Sequence, residues 1–123
     1  VIVVTIPAPV QFLNANDRLS WQKRARLTKQ WREAAIVWAR HDKLPKNLGP
    51  IKVDAHLHFT QTRRRDAANW SPTVKACIDG LVDYGLIADD DDSHLQGPFL
   101  YIGGRSLFPI GDVALAITEV DGQ

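Results

Sequence analysis

The residues best suited to chemistry lie between Arg63 and Asp92. Arg63, Arg64 and Arg65 lead directly into Asp66, Asn69 and Lys75 follow, and the stretch closes on four aspartates, Asp89 to Asp92. Guanidinium and ammonium groups suit the phosphates of a polyanion. Clustered carboxylates suit a hard divalent cation. The two together are the pairing expected of an enzyme that cuts phosphodiesters with Mg²⁺.

Each part also has a plainer explanation. An isolated run of four aspartates reads as a solvated loop. It is not an EF-hand loop: counted from Asp89, the sixth position is His94 rather than Gly and the twelfth is Leu100 rather than Glu. His56 and His58 stand two apart on one strand face, yet with no Cys or third His nearby they read as solvent-facing strand residues. The arginine run can simply cap a strand end. Lys75 and Asp79, four apart on a helix, can form a surface ion pair worth only about 0.3–0.5 kcal/mol. Trp21, Trp31 and Trp38 read as core or interface side chains rather than base-stacking platforms.

At 123 residues the chain is long enough for a single domain and a single core. Its 45% hydrophobic and 24% charged content is ordinary for a soluble globular chain and suggests neither a disordered nor a membrane protein. The opening Val1–Val4 run is too short to span a bilayer and lacks the flanks of a signal peptide. A lone cysteine forms no internal disulfide, fits a reducing cytosol, and falls on an apolar helix stripe, so Cys77 is expected to be a buried thiol. Charge is polarised. Residues 1–65 hold 13 Lys/Arg and 4 Asp/Glu (+9), whereas residues 66–123 hold 2 and 10 (−8). A basic half invites a polyanion and an acidic half invites cations, although polarised charge is equally compatible with solvated surface.

These residues must be positioned by elements in the order β-α-β-α-β-β, an α+β fold with a small mixed sheet packed against two helices. Val1–Ile6 is a β-branched run closed by Pro7 and Pro9. Ser20 is expected to cap a helix from Trp21 to about His41, whose stripe of Leu27, Trp31, Ala34, Ala35 and Trp38 faces the core. Residues 51–59 alternate strictly, with Ile51, Val53, Ala55, Leu57 and Phe59 on one face. Ser71 and Pro72 read as the N-cap and first turn of a second helix, and Gly85 as its stop. Two closing strands, about 94–102 and 112–120, are joined through Gly103 and Gly104. The arginine run then lies just past the second strand, and the aspartate run just past the second helix, where scaffolds display chemistry. That helix of about 13 residues is roughly 20 Å long. The two acidic sites can meet only if the Asp66–Ser71 loop folds back.

The combination Arg63-Arg64-Arg65-Asp66-Ala67-Ala68-Asn69, then Lys75, then Gly85 and Asp89-Asp90 resembles the signature of the RusA family of Holliday-junction resolvases, endodeoxyribonucleases commonly carried by phages and prophages. The Asn14–Arg18 segment followed by a basic helix is similar to phage members, and the likeness spans nearly the whole chain. The resemblance implies Asp66, Lys75 and Asp90 as catalytic residues. It implies Mg²⁺, with Mn²⁺ able to substitute, held by Asp66 and Asp90 with Asp89 as neighbour. DNA would be held by Arg63, Arg64, Arg65, Asn69, Arg18, Lys23 and Arg24. It further implies branched DNA and a second copy of the chain as partners, and the cytoplasm of a bacterial host as location. One position departs from the pattern: the second Asp of the family's Asp-x-Asp is Ala68 here, and three extra residues separate Asn69 from Lys75. Asp79, Asp91 or Asp92 could supply the missing carboxylate.

The expected activity is therefore Mg²⁺-dependent, structure-selective resolution of four-way DNA by paired symmetric phosphodiester hydrolysis, in recombination and repair. The alternative is a catalytically impaired RusA-like protein that binds branched DNA without cleaving it. A sheet-based RNA binder is disfavoured, because the strands show no clustered aromatics for stacking.

Overall fold

A computed structural model of the chain describes residues 1–120. It contains β1 (Ile2–Pro7), α1 (Trp21–His41), β2 (Ile51–Phe59), a 3₁₀ turn (Ala67–Trp70), α2 (Ser71–Tyr84), β3 (Leu95–Ile102) and β4 (Gly111–Glu119). This is the expected α+β order, with strand ends shifted by a residue. The four strands form one mixed sheet in the order β1-β4-β2-β3. β4 is antiparallel to both β1 and β2, whereas β2 and β3 are parallel. A parallel pair needs a long crossover, and α2 provides it. The final two strands are consecutive in the chain but not neighbours, since β2 lies between them.

The alternation in β2 is borne out residue by residue: Ile51, Val53, Ala55, Leu57 and Phe59 are buried and the intervening residues half-buried. They face the core with Val4 and Ile6 of β1 and Val113, Leu115 and Ile117 of β4. The helices complete that core through Leu27, Trp31, Ala35 and Ala39 of α1 and Val74, Cys77, Ile78 and Leu81 of α2. Burial pushes the Cys77 thiol pKa upward and keeps it protonated, as its place on the stripe implied. α1 and α2 touch at Gly80, where an added Cβ would collide with the Arg32 carbonyl and the Ala35 Cβ. The interior glycine loses about 1 kcal/mol of helix propensity but permits that close approach.

Ser20 caps α1 through a 3.1 Å bond from Lys23 N–H to its hydroxyl. Gly85 ends α2 in the left-handed region at φ 104°. The start of α2 differs from expectation. Ser71 is not its cap but its first residue. Asp66 instead caps the preceding 3₁₀ turn, its Oδ1 accepting from Ala68 N–H at 3.1 Å. An Asp at that position competes well for an orphan N–H, so the helical path begins several residues earlier than the Ser-Pro pair suggested.

Candidate active site

Asp66, Ala68 and Asn69 are held on the 3₁₀ turn between β2 and α2, and the Leu13–Asp17 loop is fastened to the same place. Ala15 N–H donates to the Asn69 carbonyl at 2.7 Å. Buried Thr73 makes the second fastening: its hydroxyl accepts from Leu13 N–H at 2.7 Å and donates to the Leu13 carbonyl at 2.9 Å. The Arg24 guanidinium reaches back to the carbonyls of Asn14, at 3.4 Å, and Asp17, at 3.1 Å. Arg24, read from sequence as a DNA contact, orders this loop in the structure. Asn14, the three arginines, Asp66 and Asn69 line one open depression, so two motifs about 50 residues apart share a surface.

The second group forms on α2. Lys75 Nζ donates to Asp79 Oδ1 at 2.7 Å and also to Asp90 Oδ2. Lys75 is four residues beyond Ser71, or about 6 Å along the axis. Asp90 has therefore returned from the far end of α2 toward its beginning. The Gly85–Asp90 segment folds back, but among the described residues it meets Lys75 and not Asp66, so the two acidic sites are not joined. Buried Leu86 and Ile87 hold it down, and Leu48 N–H donates to the Leu86 carbonyl at 2.8 Å. The plain reading of Lys75 and Asp79 as an isolated surface pair is incomplete, because Asp90 makes it a bridge.

Electrostatics follow the geometry. Lys75 has a raised pKa, first through its bond to Asp79 and then through Asp90. The bond from Lys75 holds the Asp90 carboxyl below the usual carboxylate range. Since the Asp90 pKa is depressed by folding, the stabilisation from this bridge is present above the ordinary carboxylate range and lost as pH falls through the native value. On the Lys75 side it is present below the ordinary lysine value and lost as pH rises through the raised one. Lys75→Gln is accordingly expected to move the Asp90 midpoint upward in a carboxyl-detected NMR titration. An unmoved midpoint would mean that the bridge does not form in solution.

The other acidic residues are occupied locally. Asp89 Oδ1 accepts from Asp90 N–H at 2.8 Å. Asp91 Oδ1 takes Ser93 Oγ at 2.7 Å and His94 Nδ1 at 2.6 Å, which makes it a turn residue and lowers its pKa. Asp92 is exposed. Of the three candidate replacements for the carboxylate missing at Ala68, only Asp79 shares a partner with Asp90. Among the described residues no three His, Cys, Asp or Glu side chains are gathered into a ready ligand set. A divalent ion such as Mg²⁺ nevertheless needs only one or two carboxylates besides water and substrate oxygens. Asp79 and Asp90 already converge on one cation, the Lys75 ammonium. The donor chemistry fits.

The basic residues divide. Arg63 and Arg64 are exposed, whereas Arg65 lies 3.9 Å over the Phe59 ring and donates to the Gln61 carbonyl at 2.9 Å. Arg18 is exposed and Lys23 half-buried at the start of α1. Trp31 is fully buried while Trp21 is 76% exposed. His56 and His58 are not the free solvent-facing pair expected. His58 Nδ1 pairs with buried Asp112 Oδ2 at 2.9 Å, and the His56 ring stacks on Tyr101 at 5.1 Å. Phe99 stands on the same sheet face, paired with Asp54. The absence of clustered aromatics inferred from sequence was therefore incorrect: parallel pairing of β2 with β3 brings them together. Sequence reading also missed Thr73, whose role shows only once the loop is docked, and Arg105, for which charge asymmetry was a usable signal. Residues 66–123 contain only two cations, Lys75 and Arg105.

No helix of the described residues is long and apolar enough to cross a membrane. No family model matches the chain, and no curated protein does so.

Proposed function

We propose that this chain is a RusA-like, Mg²⁺-dependent endonuclease that resolves four-way DNA junctions by paired hydrolysis of phosphodiesters. The observation that carries the reading is the Lys75 bridge to Asp79 and Asp90. It places an ammonium among carboxylates on the helix that follows the arginine run and Asp66. Asp90 and Asp79 would hold the ion, which when bound supplies a Lewis acid for the phosphoryl oxygens. Asp66, which no contact among the described residues joins to them, would meet the ion only as bound DNA brings the arginine-lined depression against α2.

The chain's own residues do the rest. Arg63, Arg64, Arg65 and Arg18 hold backbone phosphates without reading bases, as structure-selective binding requires. Asn69 lies in the depression beside them. Lys75 Nζ, a compact point charge, donates to a non-bridging phosphoryl oxygen as charge develops there. One site per chain and two symmetric cuts per junction call for a second copy of the protein.

The test is a synthetic four-way junction incubated with purified protein and Mg²⁺. Paired nicks that disappear in Asp66→Asn are expected. No nicking, with wild type and Asp66→Asn indistinguishable, would sink the catalytic reading. A second reading, branched-DNA binding without turnover, is favoured by Ala68 alone. It predicts junction affinity that falls steeply with salt and cleavage that appears only with Ala68→Asp.

A further inference from the structure

A small cavity of about 80 Å³ lies on the other side of the arginine run, walled by Arg63, Arg65, Arg105, Thr62 and the Gly103-Gly104 turn. No carboxylate lines it. Arg105, one of only two cations after residue 65, is thus carried by the β3–β4 connection to the cationic side of the molecule. Three arginines line this one small cavity, and two of them, Arg63 and Arg65, lie close enough to feel each other's charge, a repulsion that a bound anion would relieve.

Arg65 is the least satisfied of the three. Its guanidinium is laid on the Phe59 ring, and one terminal nitrogen is spent on the Gln61 carbonyl. Its Nε is buried and meets no acceptor among the described residues. Such a group is normally satisfied, and leaving it so is unfavourable. Burial, and then the charge of Arg63, pull the Arg65 pKa down, as befits a cation without a counter-charge.

The cavity is also built to keep its shape. Asp112 is buried and accepts from Ser106 Oγ at 2.6 Å and pairs with His58 Nδ1 at 2.9 Å, so it ties the connection to the sheet. Ser106 N–H donates to the Phe59 carbonyl at 2.7 Å. Gly103 runs so close over the His58 ring that any Cβ would strike it. Arg105 is flanked by these anchors.

We propose that this cavity is a socket for one phosphoryl group, and that in the DNA complex it holds a phosphate flanking the cleavage position. The second half rests on the endonuclease reading above. The geometry supports it because Arg63 and Arg65 line both this cavity and the depression containing Asp66 and Asn69. One strand passing across the arginine run would present neighbouring phosphates to the two.

Two measurements separate the socket from the DNA reading. In the first, inorganic phosphate is titrated into the labelled protein and backbone amides are followed by NMR, with chloride at equal ionic strength as the reference. Saturable shifts at Thr62, Gly104 and Arg105 are expected, and Arg105→Gln should abolish them. Shifts that chloride reproduces, or that survive Arg105→Gln, would overturn the socket whether or not the protein cuts DNA. In the second, junction affinity is measured against salt concentration. Arg105→Gln should reduce the slope of log affinity against log salt by about 0.9, the value of one phosphate contact. Lys43→Asn, remote from both depressions, should leave it unchanged. An unaltered slope with intact phosphate shifts would assign the socket to free phosphate and overturn its placement on the DNA strand.

Discussion

Lys75→Ala is expected to slow junction cleavage by about 100- to 1000-fold, the usual effect of removing one donor to a developing oxyanion, while junction affinity changes by less than about tenfold. Lys75 is solvent-accessible and contributes little to the core, so the fold should survive; exposed ion pairs of this kind stabilise by about 0–1 kcal/mol. The difference between rate and affinity is the discriminating quantity. If Lys75 served only to pin the Asp89–Asp92 loop, Lys75→Ala would have small effects on both. If it meets the phosphate as charge develops, Lys75→Ala loses rate selectively, and Lys75→Arg fails to restore it. A planar guanidinium can still pair with Asp79 and Asp90, but it places its charge on a longer, forked group and does not reproduce the compact ammonium at the phosphoryl oxygen. Single-turnover cleavage with saturating protein reads the rate, and gel-shift titration without divalent metal reads the affinity. A rate within tenfold of wild type would remove Lys75 from the chemistry.

The sequence made the elements legible wherever one physical signal dominated. Strict alternation marked β2 from Ile51 to Phe59, and the Leu27, Trp31, Ala35 stripe marked the buried side of α1. Both are period signals, carried by local residues alone. The Ser-Pro pair located the start of α2 to within one residue, but not the 3₁₀ turn that leads into it, where Asp66 accepts from Ala68 N–H three residues before Ser71. What could not be read was pairing at long range. The parallel register of β2 with β3 sets His56 against Tyr101, and no pattern within either strand encodes that. The return of Asp90 to Lys75 likewise depends on Leu86 and Ile87 finding the core.

Long-range packing also connects the core to the candidate site. Trp31 lies 5.2 Å from Phe12, Phe12 lies 4.5 Å from Phe59, and Arg65 rests 3.9 Å over Phe59. Trp70, on the turn that Asp66 caps, closes the cluster at 4.8 Å from Phe59. An Arg laid on an aromatic face gains about 0.5–2 kcal/mol and loses rotational freedom. Arg65 is thereby fixed by the same rings that fill the interior.

Trp31→Ala should expose that dependence as the largest stability loss of any substitution considered. Trp31 is fully buried and its Nε1 donates to the Gln11 carbonyl at 3.0 Å. Truncating such a side chain removes its transfer free energy and leaves a cavity, together about 3–5 kcal/mol. Against a total of about 5–15 kcal/mol for a domain, the variant would be marginal. Trp21→Ala, ten residues earlier on the same helix but largely exposed, should stay within about 0.5 kcal/mol of wild type. Urea unfolding followed by circular dichroism compares them, and an unchanged m-value shows that the difference is stability rather than a shift in the unfolded state. A loss below about 1 kcal/mol for Trp31→Ala would contradict the packing described. If the expected loss is found, junction affinity measured at low temperature, where the variant remains folded, becomes informative about Arg65. Loosening Phe12 loosens Phe59, and a guanidinium freed from its ring must be ordered again each time a phosphate binds.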